Sequence, residues 1–233
     1  MIATMTADPR LIVPLDLPTV DEARDMVERL GDSVSFYKIG LELLATGGMG
    51  LAAELKKNGK QVFLDWKLHD IGATVERSAR VLAQAGCDLL TVHAEPQVMR
   101  SAVLARGSSD LKILAVTVLT SLNDADLVEM GYAFGARDLV ERRIRQAIDC
   151  GVDGVVSSPH EAALAREIAG PDFLVVTPGV RPFWSAKNDQ ARAATPEAAI
   201  RAGASHLVCG RPITAANDPR EAALKVIAEI AGV

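Results

Sequence analysis

The chain has 233 residues, of which 49% are hydrophobic and 24% are charged, so it can bury a core without disulfides or a structural metal. Its net charge of −5 argues against nucleic-acid binding, which needs a basic face. No apolar run approaches the roughly 20 residues that span a bilayer, and the N-terminus lacks the pattern of a signal peptide. Three scattered cysteines are typical of reduced thiols, so we expect a cytoplasmic protein.

Eight short apolar segments recur along the chain and are separated by longer stretches. The predicted strands are 11–16, 34–39, 61–66, 88–92, 112–118, 153–157, 173–177 and 206–209. Helical patterns occupy 20–30, 73–85, 136–150, 159–168 and 219–230. Near-continuous apolar strands indicate burial on both faces, which is typical of a parallel sheet.

This alternation, with no Ser- or Pro-rich linker, predicts one α/β domain over residues 1–233. We expect a single (β/α)8 barrel of the TIM-barrel class, with its active site at the C-terminal ends of the strands. An open, doubly wound sheet could be built from the same pattern. However, the G-x-G-x-x-G motif of a dinucleotide-binding sheet does not follow the first strand.

Charged side chains stand at the ends of the first three predicted strands. Asp16 ends the first and Lys38 lies at the end of the second, while the third carries Asp65 and Lys67. Side chains alternate along a strand, so Asp65, Lys67 and His69 are predicted to point the same way. Asp16 could instead cap the next helix, and the Lys38 stem could reach out to solvent. Burying such an array costs desolvation free energy, which indicates a functional role.

The charges around Lys67 restrict the chemistry that this lysine can perform. Lysine is protonated at neutral pH, and carboxylate neighbours such as Asp65 and Asp70 favour its charged form. We therefore predict that Lys67 is a proton donor and electrostatic stabiliser, not a Schiff-base nucleophile. That role suits decarboxylation or enolisation, in which a carbanion develops.

The ends of the last two strands have the features of a phosphate site. Gly179 and Arg181 follow strand seven, and Gly210 and Arg211 follow strand eight. Phosphate commonly binds at this part of a (β/α)8 barrel. Glycine lets the backbone approach a ligand, and the guanidinium fork matches phosphate oxygens. Both arginines could be ordinary surface residues, but their position favours a phosphorylated small-molecule substrate.

A metal site is the main alternative use of the remaining polar residues. His69, Asp70, His93 and Glu95 offer imidazole and carboxylate groups that suit several divalent ions. They lack an H-x-x-x-H spacing or an equivalent fixed-spacing signal. We therefore expect no metal, and His69 and His93 receive no assigned role.

The run LDWKLHDIGATV at 64–75 resembles the D-x-K-x-x-D signature of the orotidine 5'-phosphate decarboxylase family. The resemblance extends over essentially the whole chain through LIVPLDLP, FYKIGLEL, TVLTSL, SSPHE, TPGVRP, NDQARAATP and GRPIT. Sugar-phosphate decarboxylases and aldolases share D-x-K-x-x-D. The succession TPGVRP, DQ-x-R and GRPI is more specific and resembles the bacterial members of the family.

The resemblance implies a cofactor-free reaction in which orotidine monophosphate loses CO2 to give UMP, in pyrimidine nucleotide synthesis. It implies that Lys67 protonates the C6 carbanion and that Asp65 lies beside the departing carboxylate. Lys38 would join the charge network and contact the ribose, and Asp16 would hold a ribose hydroxyl.

The resemblance also implies the remaining substrate contacts. Thr120, with or without Ser121, would lie next to the pyrimidine. The phosphate would be held by Arg181, Gln190, Gly210 and Arg211, with Gln190 on a loop that closes over the substrate.

A homodimer is implied as well, because Asp70 and Thr74 of family members reach into the partner's site. The chain departs from the family at Gly72-Ala73, where Pro-Asn is frequent, although Thr74 is kept. It also has Glu95-Pro96-Gln97 in place of a small, glycine-rich stretch.

Two other functions stay open from the sequence. The first is a metal-dependent sugar-phosphate decarboxylase or aldolase on the same scaffold, which metal dependence would distinguish. The second is a non-catalytic nucleotide-binding barrel, whose function Lys67→Ala would leave intact.

Overall fold

The computed structural model describes residues 7–185 and 194–233. Eight parallel strands in this part of the chain form a closed barrel, in which each strand pairs with its neighbours in sequence and the last pairs with the first. The strands are β1 Leu11–Pro14, β2 Phe36–Ile39, β3 Gln61–Leu68, β4 Leu89–His93, β5 Lys112–Val116, β6 Gly154–Val156, β7 Leu174–Pro178 and β8 His206–Val208. The predicted (β/α)8 barrel is confirmed.

Helices connect successive strands on the outside of the barrel. They are α1 Val20–Leu30, α2 Leu41–Leu44, α3 Gly48–Lys57, α4 Gly72–Gln84, α5 Pro96–Arg106, α6 Asp124–Glu129, α7 Ala136–Asp149, α8 Ala162–Ala169, α9 Pro196–Arg201, α10 Arg211–Thr214 and α11 Pro219–Ala231. Within the described residues, no helix combines the length and the apolar character needed to cross a membrane.

Local sequence signals explain where the longer helices begin and end. The Thr19 hydroxyl accepts a hydrogen bond from the Glu22 backbone N–H at 3.2 Å and so caps α1. That helix ends at Gly31, whose φ of 58° suits glycine. Asp218 caps α11 in the same way as Thr19 caps α1.

The core has two parts, one on each side of the sheet. The larger part fills the space between the strands and the surrounding helices. The smaller part lies inside the barrel and consists of one buried side chain from each of seven strands. These side chains are Ile12, Phe36, Phe63, Leu89, Leu114, Val176 and Val208. Both faces of the strands are therefore apolar, which is why the strands read as near-continuous hydrophobic runs.

The structure differs from the sequence prediction mainly at element boundaries and in the loops. Strand β3 continues to Leu68, two residues beyond the predicted end. The stretch 41–57, which no prediction covered, forms α2 and α3. Helix α6 begins after Asn123, whose side chain and that of Asp126 form a reciprocal capping box.

Candidate active site

The candidate site lies one layer above the barrel's interior core. Phe36, Phe63 and Leu89 belong to that core, and the residues two positions later are Lys38, Asp65 and Thr91. Since side chains alternate along a strand, these three polar groups share the inward face of β2, β3 and β4. The apolar layer forms the floor of the site, and the polar layer lies at its mouth.

Four charged side chains form a continuous chain of alternating sign. Lys38 Nζ lies 2.9 Å from Asp16 Oδ1 and 3.4 Å from Asp65 Oδ2. Lys67 Nζ lies 2.8 Å from Asp65 Oδ1. Lys38 is only 6% exposed, and both carboxylates lie within ion-pair distance of its ammonium group. The structure thus brings together the four charged groups that the sequence placed at the ends of the first three strands.

Asp65 is the centre of this array. Burial alone would raise the pKa of its carboxyl group, but the charges of Lys38 and Lys67 oppose this effect. Hydrogen bonds from Lys67 and from the Thr91 hydroxyl, at 2.8 and 3.0 Å, lower the pKa of Asp65 further. The net result is a pKa for Asp65 below its ordinary value. Asp65 is therefore a permanent anion between two cations at neutral pH.

The backbone at Lys67 departs from regular strand geometry. Its φ is 47°, and within the described residues Lys67 is the only residue other than glycine with a left-handed φ. The register of β3 against β4 shifts between Leu64 and Leu68. Such a conformation costs about 1–3 kcal/mol, and a hydrogen bond of 3.0 Å from the Lys67 N–H to the Thr91 hydroxyl supports it. The simple alternation predicted for 65–69 therefore ends at Lys67, although Asp65 and Lys67 do meet.

Two residues that position the array were not identified from the sequence. Thr91 connects the Lys67 backbone to the Asp65 carboxylate, but a threonine is ordinary in a strand. Gly40 leaves room for the ion pair, because a Cβ there would lie 2.5 Å from Asp16 Oδ1 and 3.1 Å from Lys38 Nζ. Two features of the sequence could have identified them. Thr91 places a hydroxyl at an inward position of β4, and Gly40 directly follows β2.

A cavity of about 290 Å³ connects this array to the ends of β7 and β8. It is lined at one end by Asp16, Lys38 and Asp65 and at the other by residues predicted to bind phosphate. Those residues are Gly179, Arg181, Gly210 and Arg211. Three members of the charged array therefore share one cavity with the predicted phosphate site, and Lys67, which is not among the lining residues, is joined to them by its ion pair with Asp65.

At the end of the cavity that is predicted to bind phosphate, two glycines lie where the backbone is closely packed or left-handed. Gly179 has a φ of 79°, which glycine adopts readily. A Cβ on Gly210 would come within 3.0 Å of Pro14. Arg181 is only 8% exposed, and its guanidinium donates to the Val180 carbonyl at 3.1 Å. Gln190 lies outside the described residues.

Three of the predicted site residues lie apart from the array. The Asp70 side chain is exposed and accepts from the Ile71 N–H at 2.6 Å. Thr74, in α4, accepts from Arg77 at 3.2 Å. Thr120 is exposed in the turn after β5 and is not among the described residues that line the cavity. Within the described part of the chain, none of the three is hydrogen-bonded or ion-paired to Lys67.

The two histidines without an assigned role lie together beside the site. The rings of His69 and His93 are 4.8 Å apart between centroids, and His69 Nε2 lies 3.6 Å from Glu95 Oε2. Burial lowers the pKa of His93, and the charges of His69, Arg143 and Lys67 lower it further, against the opposing effect of Glu95. Asp70, which the sequence grouped with them, is not part of this cluster.

The geometry restricts what the cavity can do chemically. A lysine held by a carboxylate at 2.8 Å can donate a proton to an anion that develops beside it. The lysines and carboxylates come preorganised, which is the arrangement that stabilises developing charge. A ligand with a phosphate at the arginine end would place its other end near this array.

Comparison with known proteins agrees with this interpretation. The model of the "Orotidine 5'-phosphate decarboxylase / HUMPS family" matches residues 9–226. A Caulobacter vibrioides protein named orotidine 5'-phosphate decarboxylase is 83% identical over 233 residues, which covers 98% of this chain and 100% of the relative. A protein of the same name from Caulobacter sp. strain K31 is 84% identical over 229 residues, with the same coverage.

A solved structure supports the same relationship at lower identity. The orotidine 5'-phosphate decarboxylase from Lactobacillus acidophilus superposes with a TM-score of 0.84 and is 38% identical. The match covers 96% of this chain and 99% of the other. Since sequence, barrel and cavity all agree over nearly the full length, the chain belongs to the orotidine 5'-phosphate decarboxylase / HUMPS family.

Proposed function

We propose that this chain decarboxylates orotidine 5'-phosphate to UMP without a cofactor, in pyrimidine nucleotide synthesis. The observation that carries the proposal is a cavity that joins Asp16, Lys38 and Asp65 to Arg181 and Arg211, with Lys67 held beside it by its 2.8 Å ion pair to Asp65. Relatives more than 80% identical over almost their whole length bear the name of this enzyme, which supports the same assignment.

In the proposed reaction the bond between C6 and the carboxylate carbon breaks, and its electron pair stays on C6. Lys67 Nζ then donates a proton to C6, and CO2 leaves. Lys67 regains its proton from solvent after the products depart. The ammonium group also stabilises the developing carbanion, and this interaction accelerates the reaction because it is stronger in the transition state than in the ground state.

Three further residues of the array hold Lys67 and the substrate in place for this step: Asp65, Lys38 and Asp16. Asp65 holds Lys67 by the 2.8 Å ion pair and lies where the substrate carboxylate departs. Lys38 balances the charge of Asp65 and contacts the ribose. Asp16 accepts a hydrogen bond from a ribose hydroxyl, and its 50% exposed side chain is open to a ligand on that side.

The phosphate is held at the other end of the cavity by Arg181, Gly210, Arg211 and Gln190. Charge-assisted hydrogen bonds to phosphate are among the strongest available to a protein. They are remote from C6, so their binding energy can hold the reacting carbon at Lys67. Closure of the loop that carries Gln190 would exclude water from the cavity.

The proposed enzyme is a homodimer in which Asp70 and Thr74 complete the partner's site, while Thr120 contacts the pyrimidine. The support is that, within the described chain, the hydrogen bonds of Asp70 and Thr74 are made with Ile71 and Arg77 and not with Lys67. We also expect the enzyme to act in the cytoplasm, since Cys87, Cys150 and Cys209 are buried free thiols.

The reaction is tested by following the loss of orotidine monophosphate absorbance in the presence of EDTA. We expect full turnover with the chelator, and UMP and CO2 as equimolar products. Loss of turnover after chelation, with recovery on adding a divalent ion, would favour the metal-dependent sugar-phosphate chemistry instead. Binding of the nucleotide without turnover would favour the non-catalytic barrel.

The shared site is tested separately by mixing two inactive variants, Lys67→Ala and Asp70→Ala, after subunit exchange. Half of randomly paired dimers are mixed, and each has one site with both residues intact, so about a quarter of wild-type activity should return. Mixtures with no recovery would contradict the contribution of Asp70 across the interface.

A further inference from the structure

His69, His93 and Glu95 form a compact cluster to which the proposed reaction assigns no role. His69 follows β3, His93 ends β4, and Glu95 precedes α5. One ligand atom from each residue lies within 4.8 Å of the other two, and the Nε2–Oε2 distance between His69 and Glu95 is 3.6 Å. The ends of two neighbouring strands and the loops that follow them therefore bring two imidazoles and one carboxylate close together.

These separations suit coordination of an ion by all three groups. A tetrahedral Zn²⁺ with ligands at about 2.0–2.1 Å places its ligand atoms roughly 3.4 Å from one another. The His69–Glu95 pair is already near that distance, and the largest separation must shorten by about 1 Å or slightly more. His69 and Glu95 can adjust to such a change because their side chains are 59% and 36% exposed.

A second observation concerns the Glu95 carboxylate. Its Oε2 is buried and has no hydrogen-bond partner among the described residues, while its other oxygen lies 3.7 Å from Arg143. A buried acceptor without a partner is destabilising, because it has lost its hydrogen bonds to water. This atom is also the one nearest His69, so an ion bound between them would remove the deficit.

The chemistry of the donor set selects the type of ion. Two imidazole nitrogens with one carboxylate oxygen suit Zn²⁺ and related transition ions, whereas Mg²⁺ requires octahedral oxygen ligands. We propose that His69, His93 and Glu95 bind one Zn²⁺-type ion per chain, with a fourth position open to solvent. The sequence spacing could not show this, because His69 lies 24 residues before His93 and the two are brought together by the pairing of β3 with β4.

The site is separate from the proposed chemical step. Lys67, which donates the proton, is not a ligand, and none of the three ligands belongs to the charged array. The ion is therefore not required for decarboxylation, and its binding can be measured without an activity assay.

The test is calorimetric titration of ZnCl2 into the EDTA-treated, dialysed full chain. We expect one saturable site per chain in the wild type and no saturable binding of MgCl2. His69→Asn and Glu95→Gln should weaken Zn²⁺ binding by about tenfold or more, since even outer-shell changes at metal sites have effects of that size. His69 is exposed, so His69→Asn should fold normally.

His160→Asn is the matched control, because His160 lies before α8 and outside the cluster. It should bind Zn²⁺ with wild-type affinity. Absence of a saturable site, or equal affinity in the wild type and His69→Asn, would overturn the proposal. Loss of turnover in EDTA would instead contradict the cofactor-free reaction, so the two failures are distinguishable.

Discussion

The inside of the barrel contains two consecutive layers built by the same strands with opposite chemistry. The lower layer is apolar and includes Phe36, Phe63 and Leu89. Two residues further along each strand, the upper layer has Lys38, Asp65 and Thr91 in their place. A single step of the strand period thus separates a hydrophobic core from a charged site.

The two layers contribute differently to the free energy of folding. Full burial of a side chain such as Phe63 stabilises the fold by about 1.5–3 kcal/mol. A buried charge array does little better than break even, because desolvation offsets the Coulomb attraction. The left-handed backbone of Lys67 adds a further cost. The difference indicates that the lower layer is present for stability and the upper layer for function, and substitutions in each layer can test this division.

The largest expected effect is on turnover, from Lys67→Ala in the upper layer. Loss of a general acid typically lowers kcat by about 10²–10⁴-fold, and loss of its charge next to the carbanion adds to this. We expect at least a roughly 10³-fold fall in kcat for orotidine monophosphate, with little loss of thermal stability. Lys57→Ala, at an exposed lysine of α3, should behave as the wild type. Turnover within tenfold of wild type would show that Lys67 is not the proton donor.

The converse change is Phe63→Ala in the lower layer. Phe63 is 1% exposed, and such a truncation leaves a cavity and lowers the free energy of unfolding by about 3–5 kcal/mol. Urea unfolding would measure this loss. The folded fraction should keep a KM close to wild type, and Phe63→Leu should lose less stability because it leaves a smaller cavity. If Phe63→Ala is as stable as the wild type but inactive, the assignment of the lower layer to stability and of the upper layer to function is wrong.

The sequence predicted some members of the upper layer and not others, for physical reasons. Lys38 and Asp65 were identifiable because a charge at the end of an apolar strand is costly and therefore informative. Thr91 was not, since threonine is favoured in any strand. The left-handed φ of Lys67 could not be predicted either, because it depends on pairing between β3 and β4 and on the Thr91 hydroxyl.

The fold was easier to predict than the site because every strand repeats the same signal. Apolar runs identified all eight strands, and the errors were mostly of one or two residues at their ends. The histidine cluster shows the limit of this approach. His69 and His93 are 24 positions apart in sequence, and the pairing of β3 with β4 brings their rings to 4.8 Å.

A smaller effect is expected from Thr91→Val, which keeps the shape and removes the hydroxyl. The Lys67 N–H then loses its partner, and Asp65 loses one donor. We expect a loss of about 1–3 kcal/mol in the free energy of unfolding. A fall of about tenfold or more in kcat should accompany it, because Lys67 is displaced.

Thr91→Ser retains the hydroxyl and is the control for this change. It should keep most of the turnover, although its lost methyl group costs some stability. If Val and Ser lower kcat equally, then Thr91 contributes packing alone and does not position Lys67.

Gly40→Ala should affect binding more than folding. The new methyl group would come within 2.5 Å of Asp16 Oδ1, so the half-exposed Asp16 carboxylate must move away from Lys38. We expect KM to rise by about tenfold, the equivalent of one hydrogen bond to a charged group, with kcat nearly unchanged. Gly50→Ala is the control, because a Cβ there meets nothing within 4 Å, and alanine is the better helix former. An unchanged KM in Gly40→Ala would show that Asp16 does not hold the ribose.

The smallest effect concerns acid stability. The pKa of Asp65 lies below its ordinary value in the folded state, chiefly because the charges of Lys38 and Lys67 outweigh the effect of burial. As pH falls below about 4, the unfolded chain therefore binds a proton before the folded chain does. The stabilisation that the carboxylate provides is complete above that pH and is lost as pH falls towards the folded pKa.

Urea unfolding between pH 3 and 5 measures this contribution. The wild type should lose stability more steeply on acidification than Asp65→Asn does, by at most about 1.4 kcal/mol per pH unit for the single proton involved. Asp65→Asn is expected to be less stable at neutral pH, because two lysines then face each other without their shared anion. Equal slopes in the two proteins would mean that Asp65 is protonated at the same pH folded and unfolded. The charge of Asp65 would then contribute nothing to the pH dependence of the free energy of unfolding. The upper and lower layers would not differ in this respect.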